Sequence, residues 1–225
     1  MDLTRRDLII GGAATVAAAA LPASAATVVA GPAFGSSWSL VTGGAEGDFA
    51  VLVQAEVDAI DAAMSPWRAG SELSRLNAAR STEPVDLSAD TAHVLAAALR
   101  IARHTGGAFD PAVGPTVARF GFGPIAGGAG TWDALHLAGT RLRKAVPDLT
   151  VDLCGIAKGF AVDRVAARLQ AQGIVSALIE IGGEVRALGR HPEGRPWQVA
   201  IAAPGTAFAA QRIVAPGLLA LATSG

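Results

Sequence analysis

The sequence predicts an α+β fold, with helices packed on a mostly antiparallel sheet. Three observations carry that prediction. Apolar residues recur at helical spacing in two stretches, 49–64 and 88–104, and again after residue 154. Late in the chain, short strand-like stretches follow one another with only short turns between them, which suits antiparallel neighbours. The 225 residues are 51% hydrophobic, enough for one globular domain or two intimate lobes with a sizeable core.

Composition narrows the function. The formal net charge is -1, there is no tyrosine and no basic run, so nothing points to nucleic acid. The single Cys154 excludes an internal disulfide. Residues 1–25 form a targeting segment: Arg5-Arg6 precede a Gly/Ala-rich apolar run that ends at Ala23-Ser24-Ala25. The run is too short to span a bilayer, which needs about 20 apolar residues. The expectation is a cleaved twin-arginine signal peptide and a periplasmic mature chain, soluble or peripheral at the inner membrane, with its domain at 26–225.

The elements follow in order. Residues 31–41 are predicted as a first strand, with Phe34-Gly35-Ser36-Ser37 inside it. Phe49, Val53, Val57, Ile60 and Met64 form one helical stripe that Asp48 can cap, and Pro66 stops it. Residues 65–77 are expected to be a polar loop carrying Trp67, Arg68 and Arg75, with Glu72 and Arg75 as a solvated ion pair. A second helix over 88–104 has Ser88 as N-cap and Val94, Leu95, Ala98, Leu99 and Ala102 as its face. His93 and His104 lack partners at metal-ligand spacing. Gly106-Gly107 end this helix, and Phe109-Asp110-Pro111 open a rigid turn at which a carboxylate can accept hydrogen bonds. The glycine-rich loop 124–130 lacks the spacing of a dinucleotide fingerprint. Residues 132–142 are expected to be a short helix, and 197–202, 211–214 and 218–222 strands.

The stretch that organises the chain is 151–194. It opens on a short apolar strand with one acid, Asp152. A small-residue turn, Cys154-Gly155-Ile156-Ala157, leads to Lys158 just inside a helix whose face is Ile156, Phe160, Val165 and Leu169. Gly173 stops the helix. A buried strand over 175–181 runs into Gly182-Gly183 and Glu184. A helix N-terminus, a cation and small residues are the parts that hold a phosphate-bearing ligand.

Asp152-Leu153-Cys154-Gly155-Ile156-Ala157-Lys158-Gly159-Phe160-Ala161-Val162-Asp163 with Glu180-Ile181-Gly182-Gly183-Glu184 resembles the signature of the ApbE family, the FAD:protein FMN transferases. Three further blocks agree in the family's order: 64–68 with 71–77, then 105–115, then 222–225. The resemblance implies a two-lobed, T-fold-like domain. It implies FAD as substrate, Mg²⁺, and transfer of FMN to a Ser or Thr of an acceptor flavoprotein with release of AMP. Phe34, Trp67, Ala108, Phe109, Asp110, Cys154, Lys158 and Phe160 would line the flavin nucleotide, and the Ala157 carbonyl would ligate the metal. Cys154 stands where the family has a small polar residue and reads as a filler beside the ligand. Twin-arginine members include accessory factors of nitrous oxide respiration, so the acceptor could be a respiratory membrane protein. Family members continue past Ala-Thr-Ser-Gly into a D-P-x-T-G block with metal ligands. By that comparison the second lobe is incomplete and the C-terminal part missing. Two alternatives follow: a non-catalytic FAD-binding module, or an FAD pyrophosphatase.

Overall fold

The structure is a computed structural model describing residues 26–45, 47–128, 130–202 and 210–223. The predicted leader lies outside the described residues. Among these, no helix is long and apolar enough to cross a membrane. In chain order the first elements are β1 (Thr27–Ala33), β2 (Ser36–Thr42), α1 (Phe49–Met64), α2 (Glu72–Ala78), β3 (Val85–Asp86), α3 (Ala89–His104) and α4 (Gly114–Arg119). Then come β4 (Leu135–Ala138), β5 (Arg141–Lys144), α5 (Cys154–Ala171), β6 (Ala177–Ile181), β7 (Glu184–Leu188), β8 (Val199–Ala202), β9 (Ala210–Val214) and β10 (Ala220–Leu221). Every strand pairing is antiparallel, as the α+β prediction requires. The chain divides into two compact units, one running to Val57 and resuming at Ala161, the other Asp58–Phe160.

The first unit is built on a five-stranded sheet in the order β1-β2-β6-β7-β10. β6 is buried along its whole length, which is why it reads as an unbroken apolar run and not an alternation. On one face Trp38 and Leu40 sit opposite Ile181 and Ile179. On the other, Val41, Leu178, Val185 and Ala187 cluster with Trp197 and Val199 of the β8–β9 hairpin region. Val175, expected inside the strand, is 78% exposed and precedes it.

The predicted single strand over 31–41 is instead the β1–β2 hairpin. Its two-residue turn is Phe34-Gly35, with φ of 50° and 77°. A primed turn matches the twist of the strands, and glycine supplies one of its left-handed positions freely. Phenylalanine at the other is uncommon, so the turn carried no sequence signal. Gly182-Gly183, read as close-approach glycines, form the matching turn between β6 and β7, with φ of 56° and 94°. Glu180 holds that turn by accepting the Gly183 N–H at 2.7 Å.

α1 and α5 are tied within this unit by an ion-pair cluster. Glu56, 8% exposed, accepts from Arg164 Nη2 at 2.7 Å and from Arg168 Nε at 2.6 Å. Removing one partner of a buried pair costs about 3–5 kcal/mol. Arg164 and Arg168 are 26% and 59% exposed in their side chains, so solvent takes up part of the loss. Glu56→Gln is expected to cost about 2 kcal/mol and lower the melting temperature by roughly 4–8 °C. A thermal scan showing no change would contradict this weight for the cluster.

In the second unit, α3 follows its predicted pattern. Thr91 N–H donates to the Ser88 side chain at 3.3 Å, and Val94, Leu95, Ala98, Leu99 and Ala102 are all buried. Gly106 and Gly107, with φ of 59° and 87°, turn the chain away. The expected loop over 65–77 contains α2, capped by Ser71, which accepts the Ser74 N–H at 2.9 Å. At seven residues it is too short to show a stripe. The expected Glu72–Arg75 ion pair gives way to other bonds. Glu72 takes the Ser88 N–H at 2.6 Å, the Ser88 hydroxyl at 2.6 Å and the Thr91 hydroxyl at 2.7 Å, serving the start of α3. Arg75 donates to the Gly70 carbonyl.

The expected helix over 132–142 is a 3-10 turn, Trp132–Ala134, followed by the β4–β5 hairpin. Leu135, Leu142 and Lys144 face inward at period two, and Gly139 at φ 61° makes the turn. Lys144 is 3% exposed and donates to the Ala79 carbonyl at 2.6 Å and the Leu76 carbonyl at 3.4 Å, closing the C-terminus of α2. Burial holds its pKa below the ordinary lysine value, and Asp148 acts in the opposite direction.

Candidate functional site

The site begins with residues 151–153. They were expected to be a strand, yet they join no sheet. Their backbone is satisfied piecemeal. The Asn77 amide donates to the Val151 carbonyl and accepts the Val151 N–H, both at 2.8 Å. One side chain thus does what a neighbouring strand would do. Asp152 N–H donates to the Pro111 carbonyl at 2.7 Å. The segment is held by α2 on one side and by the 109–111 turn on the other, so three sequence-distant blocks meet here.

The helix then starts one turn earlier than expected. Cys154 to Ala157 are not a turn before α5 but its first turn. The Asp152 carboxylate accepts the Cys154 N–H at 2.8 Å, satisfying one of the orphan donors of the helix start. The Leu153 carbonyl accepts from Ile156 and Ala157 at 3.0 and 2.8 Å. Ala157, Val165 and Leu169 point to the core, whereas Cys154, Gly155 and Gly159 are exposed and Lys158 is half-buried. Positions i and i+4 share a helix face, so Cys154, Gly155, Lys158 and Gly159 line one open stripe with a single cation.

That stripe is costly for a purely structural helix. An interior glycine loses about 1 kcal/mol relative to alanine. Gly155 has a packing reason, since a Cβ there would come within 3.1 Å of the Phe109 ring. Gly159 has none among the described residues, because a Cβ there would meet nothing of them within 4 Å. Open backbone beside a lysine at the start of an 18-residue helix suits an anionic ligand lying against it.

Phe109 and Asp110 therefore come together with Cys154 and its neighbours, and Ala108 is exposed beside them. Asp110 is half-buried, and its Oδ1 accepts the Ala112 N–H at 2.7 Å, which sets the turn and leaves its other oxygen outside that bond. Phe160, half-buried, packs its ring against His93 with centroids 5.8 Å apart. Trp67 lies after α1, 70% exposed, and its backbone N–H donates to the Ser65 hydroxyl at 3.3 Å. Phe34 belongs to the other unit, in the β1–β2 turn.

The thiol of Cys154 is pushed up to about 12, first by desolvation and then by the Asp152 carboxylate, with Lys158 pulling the other way. A helix N-terminus usually lowers a cysteine pKa; here the two opposing effects win. An ordinary thiol near 8.5 is about one-quarter thiolate at pH 8, whereas one near 12 is about one part in ten thousand. A more basic thiolate is intrinsically the better nucleophile, which recovers part of that loss. Cys154 is expected to react with iodoacetamide roughly 50-fold more slowly than free cysteine at pH 8. A rate matching free cysteine would show an activated thiol and overturn its role as a small neutral filler.

Among the described residues, no group of three or more His, Cys, Asp or Glu is arranged to hold a metal ion. Ala157 offers a backbone carbonyl in the first turn of α5, and Asp152 is engaged with the Cys154 N–H. These residues by themselves do not make a cation site. Sequence reasoning assigned no role to Asn77 or to the Pro111 carbonyl. Their partners lie 74 and 41 residues away in the chain, and nothing local in the sequence marks such a contact.

An α+β scaffold that presents a glycine-lined, lysine-bearing helix start beside an Asp-Pro turn is an arrangement suited to an anionic ligand. The family model that matches is that of the ApbE family, over residues 34–225, and the chain belongs to this family. It is 40% identical over 192 residues to the FAD:protein FMN transferase of Vibrio cholerae, covering 77% of this chain and 58% of that one. It is 35% identical over 219 residues to the Klebsiella pneumoniae FAD:protein FMN transferase, covering 88% and 63%. The chain thus spans about three-fifths of the length of these relatives. Among solved structures, it is similar to the flavin transferase ApbE of Vibrio cholerae, with a TM-score of 0.79 and 36% identity over 89% of this chain and 72% of that one. The apo form of the Pseudomonas stutzeri flavinyl transferase ApbE gives 0.74 and 33% over 84% and 65%. The fold is that of the ApbE flavin transferases.

Proposed function

We propose that this chain binds FAD and carries out FAD:protein FMN transfer, attaching FMN through its phosphate to a Ser or Thr hydroxyl of an acceptor protein. The observation that carries the reading is the open stripe at the start of α5, with Lys158 beside Gly159, where no packing among the described residues calls for a glycine. The names of the relatives support the substrate and the reaction class. In the transfer, the acceptor oxygen forms a bond to the FMN phosphorus. The P–O–P bond of FAD breaks, its electron pair leaves with AMP, and the hydroxyl proton goes to solvent or a nearby base. Such chemistry depends on charge neutralisation and positioning more than on a protein nucleophile. In this reading Lys158 and the first-turn amides face the pyrophosphate, while Phe109 and Asp110 hold the flavin or ribose edge. Ala108, Trp67 and Phe160, which belong to the same unit, complete the flavin contacts, and Cys154 fills space without reacting.

We extend the proposal to Mg²⁺ dependence, with the Ala157 carbonyl as one ligand. The described residues offer no carboxylate cluster beside it, and no step above runs through the ion. The proposed setting is the periplasm after twin-arginine export, and the proposed acceptor a flavoprotein of a respiratory membrane complex. Titrating the mature chain with FAD and following flavin fluorescence tests the binding half. AMP release without acceptor would mark a pyrophosphatase instead, and binding with neither AMP release nor transfer would mark a carrier module.

A further inference from the structure

We propose that Asn77 is a positioning residue for the flavin site, acting through the backbone of Val151 on the start of α5; this rests on the flavin-binding reading above. Asn77 lies near the C-terminus of α2, half-buried, and its amide bonds both backbone groups of Val151 at 2.8 Å. Val151 is fully buried, so neither group has water as an alternative. The next residue, Asp152, donates its N–H to Pro111 and binds the Cys154 N–H through its carboxylate. Alternate residues of an extended segment present their backbone groups to opposite sides. Asn77 and Pro111 therefore hold the segment from both sides, and it has no sheet ladder to fall back on. Slackening either hold lets Asp152 move, and with it the first turn that carries Cys154 and leads into Lys158.

The geometry also assigns a chemical requirement at position 77. The site needs one donor and one acceptor in a plane, about the spacing of a peptide group, and a short primary amide supplies both. Asp keeps only the acceptor and sets a charge against the Val151 carbonyl. Ala leaves both Val151 groups unmade. The anchoring of α2 itself does not depend on this bond alone, since Leu73 and Leu76 are buried and Lys144 closes its C-terminus. The function of the amide is therefore directed at residues 151–154.

The test compares Asn77→Ala and Asn77→Asp with Leu95→Ala, a core truncation in α3 that destabilises the same unit but removes neither hydrogen bond from Asn77 to Val151. FAD affinity is measured well below each melting temperature, and amide hydrogen exchange is followed on peptides covering 151–160. Misplacement of a ligand-holding group by about 1 Å is costly, so both Asn77 variants are expected to weaken FAD binding about 10-fold and to speed exchange at 152–158. Leu95→Ala should lower the melting temperature at least as far and leave FAD affinity within about 2-fold of the parent. Unchanged exchange at 152–158 in both Asn77 variants would overturn the inference whether or not FAD binds. Equal losses of affinity in all three variants would overturn it too, reducing Asn77 to a general stabiliser. A parent chain that fails to bind FAD would instead sink the functional reading.

Discussion

Lys158→Ala is expected to weaken FAD binding by roughly 10- to 100-fold. A charge-assisted hydrogen bond contributes about 1.5–3 kcal/mol, and each 1.4 kcal/mol is tenfold in affinity. Lys158 is half-buried on the open stripe of α5, one turn from Cys154, whose thiol it influences electrostatically. It is the fifth residue of α5, close to the end of the helix that favours an anion. Alanine is the best helix former, so the helix itself should not suffer. The comparison is made by fluorescence titration at two ionic strengths, since the lysine's share should shrink as salt rises. Affinity equal to that of the parent at low salt would remove Lys158 from the pyrophosphate.

Gly159→Leu is expected to move stability and binding in opposite directions. Among the described residues the added side chain meets nothing within 4 Å at its Cβ, and leucine gains helix propensity of roughly 0.8 kcal/mol over glycine. The protein should melt at the same temperature or slightly higher. The same side chain would stand where the proposed ligand lies against the helix backbone, and FAD binding should fall at least about 100-fold by exclusion. Very few substitutions that stabilise a helix abolish ligand binding, so the pairing is diagnostic. Stabilisation with full FAD affinity would mean that the ligand does not pass over this face.

The parts of the fold legible in the sequence are those with a local period. α1 and α3 were visible because five apolar residues in each repeat at steps of three and four, and Ser88 marks a start that the structure keeps. β4 and β5 were missed because Leu135, Leu137 and Leu142 alternate over only four residues each, too few to outweigh a helical reading of 132–142. The β1–β2 hairpin was missed because Phe34 holds a left-handed turn position that sequence reasoning gives to glycine or asparagine. α2 was hidden by its length, with Ser71 its one local signal.

The candidate site was legible as blocks and illegible as an assembly. Phe109-Asp110 and residues 152–160 could be singled out by residue type and order. That they touch could not, because the links are a Pro111 carbonyl, a glycine that makes room for Phe109, and an asparagine bonded across 74 positions. The start of α5 was displaced by one turn for a related reason. A Cys-Gly-Ile-Ala run looks like a turn until Asp152 and Leu153 are seen to cap it.

The most direct measurement is the intact mass of a candidate acceptor domain after incubation of the chain with FAD and Mg²⁺. The expected result is a gain of one FMN on a Ser or Thr, abolished by EDTA and strongly reduced by Lys158→Ala. An acceptor of unchanged mass, with FAD demonstrably bound to the chain and no AMP released, would contradict FMN transfer and leave a flavin-binding module in its place.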